Sequence, residues 1–169
     1  SIQAITEVVE AVNVVKKPLF AKLSPNTPEL PDIAEAAHKA GAEAVVIAIT
    51  VLGMAIDIES RKPILGAIRG GLSGPAIKPI AIANVHKVFK VVNIPIIGVG
   101  GIATAKDVVE FFLAGATMVQ IGTMNYQNPN LCVQLKKELS EYYSQNEIEK
   151  TEDLIGKVEY HSCLLYTSP

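Results

Sequence analysis

The chain has 169 residues, 49% of them hydrophobic and 19% charged, and this balance predicts a soluble, globular α/β domain with a hydrophobic core. Its net charge of −2 and isoelectric point near 5.9 argue against nucleic acid or an anionic membrane as the main partner. No apolar run is long enough to cross a membrane, and Cys132 and Cys163 lack the spacing of a disulfide framework or a metal site, so we expect a cytoplasmic protein.

Helices and buried strands alternate along the predicted chain. Strands are indicated by short, continuous apolar runs, and helices by capping residues at their ends. The predicted elements are a helix over 2–12, a strand over 18–23, a helix over 28–40, a strand over 44–49, a helix over 76–91, a strand from 94 into a pair of glycines, a helix over 105–114, a strand over 117–121 and a helix over 129–143. The connection over 50–75 is long and rich in glycine and proline, which is more typical of functional loops than of simple links.

Two predicted helices have clear caps. Thr27 with Pro28 in the first helical position predicts one helix start. Thr104 with Asp107 forms a capping-box pattern at another. Gly41 is expected to end the first of these helices, and Gly115 the second.

The stretch Ile94–Ala105 is a strand that runs into Gly100 and Gly101 and then opens a helix. Adjacent glycines let a ligand approach the backbone, and N–H groups at a helix start attract anions such as phosphate. The alternative is a tight turn that needs glycine only for steric reasons.

An internal similarity supports a repeated architecture. Residues 40–47 match residues 114–121 at five of eight positions, 74 residues apart. A repeating βαβα unit fits half of a (β/α)₈ barrel, which needs about 250 residues when complete. We therefore predict an α/β fold that is half of such a barrel. The alternative is an open doubly wound sheet, although its G-x-G-x-x-G pattern does not occur here.

The barrel prediction brings several glycines together. Active sites of such barrels lie at the carboxyl ends of the strands, and phosphate is often held after strands seven and eight. If the four strands are the last four of the barrel, Gly100 and Gly101 follow strand seven, Gly122 and Thr123 strand eight, and Gly74 strand six. Their convergence favours a phosphate site over the steric explanation.

Lys22 lies in an otherwise apolar strand, where a charge is costly to bury unless it is used or paired. We expect it to point into the barrel mouth; the alternative is a side chain that reaches solvent at the strand edge. Ser24, Asn26, Thr50 and Ser73 also lie at strand ends or in top loops, where they could orient a substrate.

The sequence shows no hydrolytic or metal site. His38 and His86 fall on predicted helices, away from the strand ends, while Asp57 and Glu59 lack partners for metal binding or acid–base catalysis. A phosphate site with a lysine and no nucleophile suggests a cofactor that brings its own chemistry.

Five segments in this order and spacing carry a resemblance to a known family: AKLSPN at 21–26, TVLGMAID at 50–57, GGLSGPAIKP at 70–79, NIPIIGVGGI at 93–102 and QIGT at 120–123. Together they resemble dihydroorotate dehydrogenases, most closely the catalytic subunit of the NAD-linked class 1B type, over about residues 12–156. The resemblance implies the C-terminal half, about strands five to eight, of an FMN-binding (β/α)₈ barrel of pyrimidine biosynthesis. It implies residues 1–156 as the domain and 157–169 as a tail whose last residues are foreign to it.

The resemblance also implies roles at matched positions. Lys22 would lie beside N1 and O2 of the flavin, and Thr50 is the second residue of a pair that hydrogen-bonds the pyrimidine. Ala48 stands where a family residue contacts the flavin. The positions implied to bind FMN are Lys22, Ala48, Gly74, Gly100, Gly101, Gly122 and Thr123.

Three features depart from the family pattern. Ile49 replaces the asparagine that precedes Thr50, and an unpaired polar group in a substrate site can cost about 10⁴-fold in discrimination, so we expect weak orotate binding; a sequencing error is the alternative. No residue matches the cysteine base, so no catalytic residue is predicted in this chain. The segment 160–169 matches nothing in the family.

The implied reaction is the oxidation of dihydroorotate to orotate, with electrons passed to NAD⁺ through a partner subunit that carries an iron–sulfur cluster and FAD. The implied assembly is a homodimer of catalytic subunits bound to that partner. We expect this chain alone to be inactive. The alternatives are an FMN barrel for another dihydropyrimidine and a non-catalytic half-barrel that binds a phosphate ligand and dimerises to cover its open sheet edges.

Overall fold

A computed structural model of the chain describes residues 1–47 and 50–161. Its helices and strands are, in order, α1 (Ile2–Asn13), β1 (Phe20–Leu23), α2 (Leu30–Lys39), β2 (Ala44–Ile47), β3 (Val51–Gly53), β4 (Ile56–Asp57), β5 (Lys62–Pro63), β6 (Gly70–Leu72), α3 (Lys78–Phe89), β7 (Ile96–Val99), α4 (Ala105–Ala114), β8 (Met118–Gln120) and α5 (Leu131–Gln145). Short 3₁₀ turns lie at Pro75–Ile77, Thr123–Tyr126 and Thr151–Asp153. None of the helices in these ranges is long and apolar enough to cross a membrane.

Four parallel strands form the main sheet, in the order β1-β2-β7-β8. The strands follow chain order across the sheet, without the reversal at which a doubly wound sheet changes direction. β1 and β8 are its outer strands, so the sheet is not closed into a ring. Parallel strands linked by helices, in an open sheet, confirm the predicted α/β fold of a partial barrel.

The two faces of this sheet differ in burial. Alternate side chains point to opposite faces of a strand, and one face contributes Ala21, Leu23, Val45, Ile47 and Ile96 to the core formed with the helices. The other face is exposed on the two outer strands, at Phe20, Lys22, Met118 and Gln120, whereas Ala44, Val46 and Ile97 on the two inner strands are buried. A doubly wound sheet would cover both faces with helices, whereas a barrel has them only on its outside.

The predicted long connection over 50–75 is an antiparallel ribbon. β3 pairs with β6, and within that loop β4 pairs with β5. Large apolar side chains along the ribbon are exposed, namely Leu52, Met54, Ile56, Ile58, Ile64, Leu65, Ile68 and Leu72. The ribbon leaves the carboxyl side of β2 and returns the chain to the start of α3.

The glycine and capping-box predictions for the helix ends are confirmed. Gly41 and Gly115 have φ of +113° and +114°, the left-handed conformation in which glycine ends helices. Thr104 and Asp107 form both bonds of the capping box of α4.

The predicted start of the second helix is wrong. The helix begins at Leu30 with Glu29 as its N-cap, and Pro31 lies in its first turn. Thr27 instead accepts a hydrogen bond on Oγ1 from the N–H of Glu29, at 3.3 Å. Both Pro28 and Pro31 suit a first helical turn because neither needs an N–H donor there, and sequence alone favoured the wrong one.

The C-terminal segment packs on α4 beyond the expected domain end at residue 156. The N–H groups of Gly156 and Val158 donate to the carbonyl oxygens of Phe112 and Leu113, at 3.0 and 3.3 Å. The proposed tail therefore begins with residues that are attached to the domain.

We predict that Phe111→Ala lowers the free energy of unfolding by about 3–5 kcal/mol. Phe111 is fully buried against Gly98 and belongs to the core on the helix-covered face of the sheet. The matched control is Phe20→Ala on the open face, where the side chain is 50% exposed and a loss of no more than about 1 kcal/mol is expected. Urea unfolding followed by circular dichroism measures both, and equal losses would contradict the assignment of the two faces.

Candidate functional site

Three glycine turns meet in one cavity at the carboxyl ends of the strands. The cavity has a volume of about 160 Å³. Thr50 and Val99 form part of its wall. The predicted cofactor residues that line it are Gly74, Gly100, Gly101, Gly122 and Thr123.

The glycines serve two different purposes. A Cβ added to Gly74, where φ is +90°, or to Gly122 would meet no atom within 4 Å, so these positions leave open space beside the cavity. A Cβ on Gly101, where φ is +75°, would lie 2.8 Å from the backbone nitrogen of Lys78. Gly101 is therefore required for close packing against α3, which is the steric explanation.

The N-terminus of α4 is already occupied by a side chain. Asp107 Oδ2 accepts hydrogen bonds from the N–H groups of Ala103 and Thr104, at 2.9 and 2.8 Å. Those two donors of the helix start are thus used within the protein. An anion in the cavity would be held by the glycine turns, rather than by the donors of the α4 capping box.

A cluster of three charges lies behind the glycine turns. Lys78 Nζ lies 2.6 Å from Asp107 Oδ1 and 2.8 Å from Glu110 Oε1. The hydrogen bonds to Asp107 and Glu110 raise the pKa of Lys78. Burial acts to raise the pKa of Asp107, but the hydrogen bonds from Lys78, Ala103 and Thr104 outweigh it and lower the pKa.

Lys22 lines a second cavity, of about 380 Å³, at the carboxyl end of β1. Thr50 and Val99 line both this cavity and the glycine cavity, so the two are neighbours. Lys22 is exposed, on the outer strand β1 of the open sheet. Its role at the barrel mouth stays a prediction.

The side chain of Asn26 hydrogen-bonds the backbone that follows β2. Its Nδ2 donates to the carbonyl oxygen of Thr50 at 3.0 Å, and its Oδ1 accepts from the N–H of Leu52 at 3.4 Å. Asn26 therefore bonds this backbone as a neighbouring strand would, which fixes Thr50 between the two cavities.

Other candidates are placed elsewhere or are not described. Ala48 and Ile49, as well as Cys163 in 162–169, lie outside the described residues. Asp57 accepts hydrogen bonds from Ser60 Oγ at 2.9 Å and from the N–H of Glu59 at 3.0 Å, and these lower its pKa within a local turn. Residues 1–47 and 50–161 contain no group of three or more potential His, Cys, Asp or Glu metal ligands.

The sequence analysis missed the link between Lys78 and Asp107. One signal pointed to it: a lysine in the first turn of a helix faces the positive end of the dipole and needs compensating acid. Lys78 is the first residue of α3, and the acids come from α4.

A family model described as dihydroorotate dehydrogenase matches residues 2–143. Three similar proteins are each named dihydroorotate dehydrogenase B (NAD(+)), catalytic subunit. That of Phocaeicola vulgatus is 49% identical over 155 residues, 91% of this chain and 51% of the relative. That of Alkaliphilus oremlandii is 48% identical, with the same coverage of both chains. That of Caldicellulosiruptor saccharolyticus is 45% identical over 92% of this chain and 52% of the relative.

A solved structure shows the same fold. The chain is similar to the crystal structure of DHODH in complex with ferulenol from Eimeria tenella, with a TM-score of 0.68 and 31% identity. The similarity covers 83% of this chain and 38% of that one. The chain thus spans about half the length of the curated relatives it matches.

We predict that Asp107→Asn lowers the free energy of unfolding near pH 7 by about 2 kcal/mol, because Lys78 loses a charged partner. The folded-state pKa of Asp107 lies below its usual value of 3.8, so its stabilisation is present above that pH and is lost as the pH falls through the folded value. Urea unfolding between pH 7 and 2.5 should show the two proteins converging below about pH 4.

Glu35→Gln is the control for this experiment, since Glu35 forms an exposed pair with Lys39 on α2. We expect it to change the free energy of unfolding by less than about 0.5 kcal/mol. A gap between wild type and Asp107→Asn that stays constant down to pH 2.5 would contradict the assignment.

Proposed function

Because the chain belongs to the dihydroorotate dehydrogenase family, we propose that the protein oxidises dihydroorotate to orotate in pyrimidine biosynthesis, as the catalytic subunit of an NAD-linked enzyme. The names of its relatives support the assignment, and the term catalytic subunit implies a separate partner subunit in those proteins. Electrons would pass to NAD⁺ through such a partner, for which the sequence resemblance suggests an iron–sulfur cluster and FAD. The catalytic subunits would pair as a homodimer.

The glycine cavity is the observation that carries the cofactor proposal. Members of this family depend on a flavin, and FMN ends in a phosphate. Gly74 and Gly122 leave space that any larger side chain would reduce, and backbone turns suit an anion in a chain without excess positive charge. We assign the phosphate to this cavity and the ring to the neighbouring one that Lys22 lines.

When bound, FMN supplies the two-electron acceptor that takes hydride from dihydroorotate. The residues of this chain bind and orient it. Lys22 would hold a positive charge beside the flavin ring, which favours the reduced form. Thr50, whose carbonyl oxygen accepts from Asn26 Nδ2, would hydrogen-bond the substrate through its side chain.

Ile49 favours a second candidate function. An isoleucine side chain cannot form the hydrogen bond that the family asparagine provides, so a dihydropyrimidine without the orotate carboxylate is the alternative substrate. Flavin reduction by dihydroorotate, compared with reduction by dihydrouracil and dihydrothymine in the full-length protein, separates the two. A third possibility, a non-catalytic phosphate-binding half-barrel, predicts no flavin reduction by any of them.

FMN binding tests the cofactor assignment directly. Flavin fluorescence titration of the gently purified chain should show FMN bound more tightly than riboflavin, because the glycine turns would hold the phosphate. Equal affinities would contradict the phosphate assignment. Failure to bind either flavin would overturn the proposed cofactor role of this chain.

We predict that Lys22→Gln lowers the midpoint potential of bound FMN. An interaction of about 1–4 kcal/mol between unit charges near 4 Å corresponds to about 20–90 mV for a two-electron couple. Spectroelectrochemical titration measures the shift. Lys39→Gln on α2 is the control and should leave the potential unchanged, while an unchanged potential in Lys22→Gln would remove Lys22 from the flavin site.

The chain by itself should not oxidise dihydroorotate. No residue matches the family cysteine that accepts the C5 proton, so proton removal requires a group that this chain does not supply. Stopped-flow mixing of the FMN-loaded chain with dihydroorotate measures flavin bleaching. Bleaching at a rate typical of an enzyme would show that a base is present within these residues.

A further inference from the structure

We propose that the Lys78–Asp107 ion pair is a positioning element that sets the phosphate affinity of the glycine cavity. It would do so by fixing the turn after β7 against the start of α3. This inference rests on the proposed function, since it concerns the phosphate end of the FMN site.

Asp107 connects the two elements with separate oxygens. Its Oδ2 accepts the N–H groups of Ala103 and Thr104, which directly follow the glycine turn. Its Oδ1 binds Lys78 Nζ at 2.6 Å, on the other helix. Asp107 is only 8% exposed, so solvent screens these bonds little.

Lys78 is joined through its backbone to two of the three glycine turns, those of Gly101 and Gly74. A Cβ on Gly101 would lie 2.8 Å from the Lys78 nitrogen and 2.9 Å from its Cα, so only glycine lets the turn after β7 pack directly on Lys78. Gly74 lies four residues earlier, and its carbonyl oxygen accepts the N–H of Ile77 at 3.1 Å in the 3₁₀ turn that leads into α3. A shift of Lys78 would therefore move Gly74 and Gly101 relative to each other.

The position of Lys78 is unfavourable for the helix alone. A cation in the first turn opposes the helix dipole, yet two carboxylates from α4 bind it there. Lys78 itself does not line the glycine cavity. The charge thus serves the contact between the helices, and its effect on a ligand is exerted through the backbone.

If the ion pair only stabilised the fold, its loss would lower the affinities for FMN and riboflavin alike. A pair that positions the glycine turns should affect the phosphate group selectively. The ratio of FMN to riboflavin affinity distinguishes these cases, because riboflavin has the same ring and lacks the phosphate.

The experiment is a fluorescence titration of the 169-residue chain with FMN and with riboflavin. For Asp107→Asn and Lys78→Met we expect FMN affinity to fall roughly tenfold to a hundredfold, as misplacement by about 1 Å can do, with riboflavin affinity unchanged within about twofold. Lys78→Arg should restore most of the FMN affinity by keeping the charge. Lys39→Met, which breaks an exposed pair on α2, should change neither affinity. Equal losses for both flavins, or no loss for FMN, would overturn the proposal.

An NMR measurement tests the positioning without a flavin. In Asp107→Asn, the amide resonances of Ala103 and Thr104 must shift because their carboxylate acceptor becomes a neutral amide. The proposal requires the Gly74 amide to shift as well, although none of the hydrogen bonds that Asp107 forms within the described residues reaches Gly74. A Gly74 resonance that stays in place would overturn the positioning role, whereas a wild-type chain that binds neither flavin would overturn the proposed function instead.

Discussion

The parallel pairing of four strands is the constraint on which the rest of the structure depends. Parallel neighbours need a connection that returns the chain to the same end, and here α2, α3 and α4 provide it. Every turn that leaves the carboxyl end of a strand is thereby brought to one edge of the sheet. The glycine turns after β7 and β8, and the Gly74 turn after the ribbon, are brought to the same edge for this reason.

The same constraint divides the sheet into a covered and an open face. The helices bury one face in a continuous core, while Phe20, Lys22, Met118 and Gln120 remain exposed on the other. In a (β/α)₈ barrel the uncovered face becomes the interior. The exposed position of Lys22 is thus a consequence of an open sheet, and its carboxyl-end location places it beside the glycine cavity.

Local patterns allowed much of the fold to be predicted. The capping box of Thr104 and Asp107 and the left-handed Gly41 and Gly115 depend on residues a few positions apart, so their chemistry is visible in sequence. The start of α2 failed because two prolines three residues apart both satisfy the same rule. The ribbon over 50–75 escaped prediction because its strands are two or three residues long.

The candidate site was predictable to the extent that the barrel was. Once the strands are in order, the glycines and Lys22 must lie at the same edge, and the structure places them there. The Lys78–Asp107 bond spans 29 positions of sequence and depends on how two helices pack. In the sequence, only the unfavourable positive charge of Lys78 in the first turn of α3 indicated that an acidic partner was needed. It did not indicate which acidic residue.

The two lysines near the site illustrate how an acidic chain can prepare an anion site. Lys78 is neutralised by two carboxylates and contributes no free charge to the glycine cavity, which leaves recognition of an anion to backbone N–H groups. Lys22 forms no ion pair in the part of the chain that the structure describes, so its charge is available to a ligand in its own cavity. Charge that positions the backbone and charge that faces a ligand are thus carried by different residues.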